Sequence, residues 1–245
     1  MAKETKIGSN RTGIQMSPKD SKEIIEAAAN AMPTSEGDHM SLALLRSDYI
    51  ADAEPLGTVP PPGTLKGVLK SGMDMMTGDR PQVLLDKLGE RAAFERGGTR
   101  LYDAVLSKFD ADPHAHGSVS RDVLQQFRNE EARHFQLVCE AVEQLGGDPT
   151  AMTPCANLVG MQAMGLWHSV TDPRTTLAQC LNTMLAAELV DNAGWELLIA
   201  LAESSGHDDL AKRFQLALAE EAEHLTQIRA WVQELTMAEA SLMPA

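Results

Sequence analysis

Two short stretches of this chain carry residues able to do chemistry. "NEEARH" at 129–134 and "AEEAEH" at 219–224 share the pattern Glu-Glu-Ala-x-His, ninety residues apart. In an α-helix, Glu-x-x-His sets its two side chains about 60° apart on one face and one turn apart in height, so both can reach a single metal ion. Glu131 with His134, and Glu221 with His224, form such pairs. Two further glutamates hold matching places: Glu95 lies 36 residues before Glu131, and Glu188 lies 33 before Glu221. Each is followed seven residues later by an aromatic residue, Tyr102 and Trp195 respectively. We read this as an internal two-fold repeat with a slightly longer first turn.

The elements that must position these residues are helical, and the expected fold class is all-α. Aromatics make up only 4% of the chain, whereas Met and Ala are plentiful, a balance that suits helix packing better than a β-sandwich. Four long helical patterns follow one another. The first has Pro81 in its first turn and ends before "DADPHAHG"; the second runs from about Ser118 to Leu145 and stops at Gly146 and Gly147. The third opens at "TDP", with Asp172 capping and Pro173 in the first turn, and reaches about Glu203; the fourth spans about Asp208 to Glu234. Short links within each pair predict two antiparallel hairpins, joined by a crossover of some 25 residues with a short helix around Ala156 to His168. Before them, residues 1–63 are poorly periodic, with one helix signal in "SPKDSKEIIEAAANA" and a break at "GTVPPPGT"; a short helix is expected from Thr64. The chain thus reads as an N-terminal arm with short helices (1–79), a four-helix bundle (80–236) and a tail (237–245).

Steps of three and four along each long helix trace an inward stripe that is apolar at both ends and ionisable at its centre. The first stripe is Leu85, Leu88, Ala92, Glu95, Thr99, Tyr102, Leu106 and Phe109. The second places Glu131 and His134 between Phe127 and Val138, the third Glu188 and Asn192 between Met184 and Trp195, and the fourth Glu221 and His224 between Ala217 and Ile228. Burying one unpaired carboxylate costs on the order of several kcal/mol, so four at one level of a core need positive charge among them. Protonation or nearby arginines supply part of it. Two divalent cations balance four carboxylates and two neutral imidazoles in full, and the remaining glutamates can then be terminal or bridging.

The formal net charge of -14 argues against non-specific binding to nucleic acid or to an anionic membrane. It serves solubility, and attraction of cations such as Fe2+ is the second reading. Cys139, Cys155 and Cys180 form no CxxC pair, which removes a rubredoxin-type or zinc-ribbon module and leaves free thiols packed as small hydrophobes. "MAKETKIGSN" lacks an apolar signal region and no stretch approaches the roughly 20 apolar residues of a membrane span, so the expected localisation is cytoplasmic.

At Glu95, Glu131, His134, Glu188, Glu221 and His224 the sequence resembles the ferritin-like di-iron carboxylate superfamily, whose four-helix bundle carries a Glu on two helices and Glu-x-x-His on the other two. The resemblance covers roughly residues 80 to 236. It implies those six residues as metal ligands for two divalent ions, Fe foremost, with Mn or Zn admitted by the imidazoles. It also implies that Glu130 and Glu220, where the family usually shows Asp, steady His224 and His134 of the opposite motif. Arg133 matches an arginine often found in such a motif; the second copy has Glu223. Tyr102 resembles the ferritin tyrosine that hydrogen-bonds a ligand carboxylate and donates an electron, with a core tyrosine as the alternative. Trp195 reads as packing.

The implied function is activation of O2 or H2O2 by a dinuclear centre, as an iron-oxidising protein or related oxidoreductase; the alternative is a non-catalytic metal-binding or structural bundle, an iron buffer or a stress protein. Absence of a CxxC module separates the chain from a complete rubrerythrin, the arm and crossover from a ferritin cage, and the second Glu-x-x-His from a manganese catalase. A homodimer is the expected assembly. Among other candidates, Glu90 lies off the stripe, Asp191 and Glu196 flank the third helix's site, His114 and His116 fall in a loop, and His168 and His207 read as helix-end residues. Gly97 and Gly98, just past Glu95, permit a helix bulge or close packing beside the site.

Overall fold

The computed structural model describes residues 18–30, 39–61, 81–111 and 117–241, and among them are seven α-helices and no strand. The chain divides into two compact units, one spanning Glu4–Pro55 and the other running from Leu56 onward. The first contains α1 (Pro18–Asn30) and α2 (His39–Asp52). α2 was not expected, because its apolar residues, among them Leu42, Leu44, Leu45 and Ile50, follow no single stripe and are exposed. The helix expected from Thr64 lies outside the described residues.

The second unit contains α3 (Pro81–Ala111), α4 (Arg121–Gln144), α5 (Pro154–Thr171), α6 (Leu177–Ser204) and α7 (Asp208–Ser241). α4 starts where the Ser120 side chain accepts the Val123 N–H, and ends at Gly146, whose φ of 85° is a left-handed conformation that glycine adopts without a steric cost. The crossover helix α5 is longer than its expected core, capped by Thr153 with Pro154 in its first turn. α6 does not begin at Asp172. Thr176 accepts from the Gln179 N–H while the Gln179 side chain accepts from the Thr176 N–H, a reciprocal cap that sets the start at Leu177. Asp172 instead closes α5 through its N–H to the His168 carbonyl, and its carboxylate is taken by Arg174. α7 continues past Glu234 because neither Gly nor Pro interrupts the chain before Ser241.

α3 packs along α4 and α6 along α7; α3 also meets α6, α4 meets α7, and α5 lies against α3 and α6. Two apolar clusters result. One joins Leu84, Leu88, Val138, Trp195, Leu198 and Phe214; the other joins Leu101, Leu124, Phe127, Met184, Ile228 and Trp231. α3 and α7 pass from the first to the second, and α4 and α6 from the second to the first, so each hairpin pair runs antiparallel. On all four helices the ionisable residues fall between the two clusters. No helix of the described residues is long and apolar enough to cross a membrane.

Candidate metal centre

Glu95, Glu131, His134, Glu188, Glu221 and His224 are each at most 2% exposed. The structure brings them together in three overlapping groups whose ligand-type atoms lie within 4.8 Å of one another: Glu131, Glu188, Glu221 and His224; Glu95, His134 and Glu221; and Glu95, Glu131, Asp191 and Glu221. Glu221 belongs to all three. Glu221 and His224 share a group, whereas Glu131 and His134 fall in different ones: Glu131 lies toward His224, and His134 toward Glu95 and Glu221.

The imidazoles show where a cation would sit. His134 on α4 meets Glu220 of α7 through Nε2 at 2.7 Å, and His224 on α7 meets Glu130 of α4 through Nε2 at 2.8 Å. Each Nε2–H donates to its carboxylate, which turns Nδ1 inward. The Nδ1 of His134 is 2.6 Å from Glu221 Oε1, and that of His224 is 3.1 Å from Glu221 Oε2. These approaches are close but lack hydrogen-bond alignment. Both Nδ1 atoms, Glu95 Oε2, both oxygens of Glu221, Glu131 Oε2 and Glu188 Oε2 are buried without a hydrogen-bond partner. Buried polar atoms are otherwise nearly always satisfied, so the donor set fits a hard or borderline cation bound among them.

Burial and the charge of Glu221 push Glu188 up to about 8. Burial also lifts Glu95 to about 7, against the pull of Arg91 and with the push of Glu221. Burial, then Glu221 and Glu95, raise Glu131 well above the usual carboxylate range. Glu221 goes the other way: burial opposes its charge, but His134 and His224 hold it at about 2. His224 rises to about 10, since Glu130 and Glu221 together outweigh its burial. Without a cation, the two imidazoles thus serve as counter-charges for one carboxylate while its neighbours keep protons.

The surroundings follow from the same helices. Tyr102 donates its hydroxyl hydrogen bond to Glu188 Oε1. Asn192 Nδ2 donates to the carbonyls of Glu188, at 2.9 Å, and Glu221, at 3.1 Å, tying α6 to α7 behind the carboxylates. Arg133 pairs with both Glu130 and Glu220. Through Gly97 and Gly98 α3 is unbroken, which removes the bulge. A Cβ at Gly98 would stand 2.0 Å from Glu131 Oε2, whereas one at Gly97 would meet nothing within 4 Å.

Arg91 and Asp191 are the part that the stripe did not reveal. Arg91 is buried, with Nε 2.7 Å from Glu95 Oε1 and Nη1 3.2 Å from Asp191 Oδ1. Its guanidinium also lies over the rings of Phe94 and Trp195. Asp191, weighed as a flanking residue, is 1% exposed. A signal existed for both: Arg91 lies one helical turn before Glu95, and Asp191 one turn after Glu188. Burial and the charges of Glu221, Glu95 and Glu188 lift Asp191 well above the usual carboxylate range, against the pull of Arg91.

The remaining candidates lie elsewhere. Glu90 pairs with Lys87, and Glu196 and His168 are exposed. His207 is half-buried at the start of α7, its carbonyl accepting the Ala211 N–H. His114 and His116 lie outside the described residues. Trp195 is fully buried against His134 and Phe214. Cys139, Cys155 and Cys180 are free thiols. No protein-family model, no curated protein and no solved structure matches the chain.

Proposed function

We propose that the chain forms a ferritin-like four-helix bundle whose centre holds two divalent metal ions, iron foremost and manganese or zinc as alternatives, and that it oxidises iron or performs a related O2- or peroxide-consuming reaction. The observation that carries this reading is the gathering of unpartnered carboxylate oxygens and both inward Nδ1 atoms in one buried layer. Glu95, Glu131, His134, Glu188, Glu221 and His224 would hold the ions. Bound as Fe2+, the ions would supply one electron each to O2 or H2O2, whereas Zn2+ in the same ligands would bind without redox chemistry. The chain's own residues do the rest. Glu130 and Glu220 hold the imidazole Nε2 protons and thereby leave Nδ1 as the donor. Arg91 pairs with Asp191. Tyr102, through its hydrogen bond to Glu188, would carry a proton or an electron. The apolar clusters on either side exclude water.

Full-length protein expressed with iron should contain two transition-metal ions per chain by elemental analysis, and well under one would sink the reading. Glu131→Ala and Glu221→Ala should each abolish loading; two ions retained in both variants would refute the ligand set. A second reading, a storage or structural metal site, is favoured by the closed burial of every candidate ligand. Anaerobic Fe2+ loading followed by air separates the two, since oxidation no faster than in buffer leaves the second.

A further inference from the structure

A groove of about 280 Å³ lies between α3 and α5. Its apolar lining includes Phe94, Met161, Met164 and Trp167, and Arg96 and Arg100 line it one helical turn apart. An adjoining groove of about 220 Å³ shares Arg96 with it. In a chain of net charge -14, these two exposed cations on one face are distinctive, and neither forms a salt bridge among the described residues. Like charges one turn apart repel each other, and a carboxylate shared between two guanidinium forks relieves that repulsion. Met161 and Met164 are each 59% exposed, and their flexible thioethers adapt to an alkyl or aromatic body. The volume approaches the roughly 300 Å³ at which small-molecule pockets begin. Gly98 also lines this groove, and its missing Cβ leaves bare backbone between the groove and Glu131 Oε2.

The geometry points to a binding site for a small organic acid, with its carboxylate on Arg96 and Arg100 and its apolar body along Met161 and Met164, beside the candidate metal centre. Only its role as a substrate rests on the proposed metal function; its binding does not. Calorimetric titration of the full chain with octanoate and with octylammonium tests it. Octanoate should bind at least tenfold more tightly than octylammonium, and the surface variant Arg96→Gln/Arg100→Gln should erase that difference while loading metal normally. In the Co2+-loaded protein, octanoate should shift the visible absorption bands; unchanged bands would overturn its placement beside the centre. No octanoate binding, or binding indifferent to the double variant, would overturn the site itself. So would a dimer in sedimentation that Ala163→Trp dissociates, since the groove would then be covered by a second copy. Octanoate binding without metal loading removes the metal reading and keeps the groove, whereas loading without octanoate binding removes the groove alone.

Discussion

Glu130 and Glu220 belong to opposite helices, and each reaches across to the other motif's histidine, so the two Glu-Glu-Ala-x-His copies are coupled reciprocally. Removing either acceptor frees an imidazole to rotate or change tautomer. Glu130→Ala and Glu220→Ala should each weaken metal affinity by about 10- to 100-fold, as measured by competition with a chromophoric chelator; undiminished affinity would mean that packing alone orients the rings. Tyr102 makes a different prediction. Tyr102→Phe leaves Glu188 Oε1 without its donor, and should lower the metal-free protein's stability by about 1–3 kcal/mol in urea denaturation. If Tyr102 also passes electrons, iron oxidation should slow at unchanged metal stoichiometry, and an unchanged rate would restrict the residue to its structural bond.

At the scale of the element, α3 carries two adjacent glycines with different surroundings. Gly in a helix interior costs about 1 kcal/mol relative to Ala, so propensity alone predicts that either Gly→Ala change stabilises. Gly97→Ala meets open space and should raise stability by up to about 1 kcal/mol. Gly98→Ala drives a Cβ into the Glu131 carboxylate and should reduce metal affinity at least tenfold, whatever it does to the helix. Thermal unfolding and metal titration of the pair check this. Equal behaviour would show that Glu131 has room to move.

At the scale of the whole molecule, the buried layer links stability to pH. Glu95, Glu188 and His224, with values of about 7, 8 and 10, all stand above their ordinary 4.5, 4.5 and 6.5. In the metal-free protein the folded chain therefore keeps protons that the unfolded chain has lost. Their stabilising contribution is complete below the ordinary values and disappears as pH rises through the folded ones. Glu221, held at about 2, acts in the opposite sense, but only below its ordinary value. The Tm of the metal-free protein should fall from about pH 5 to about pH 9 by calorimetry. Metal loading should release protons and tighten as pH rises. A flat Tm across that window would contradict the protonated layer.

Residue spacing alone reveals which side chains share a helix face. A period of 3.6 converts spacing into direction, so the buried glutamates and histidines, the interrupted stripes and the hairpin pairs could be read from one dimension. Most of each stripe is buried as expected, with Thr99, Phe109 and Asn192 half-buried. Packing supplied what depends on a second helix. It set Arg91 against Asp191, divided Glu131 from His134, and brought Gly98 against Glu131, because such distances depend on how closely helices approach. The start of α6 escaped for a related reason: Asp172 and Thr176 both carry capping chemistry, and the reciprocal bonds with Gln179 decide between them.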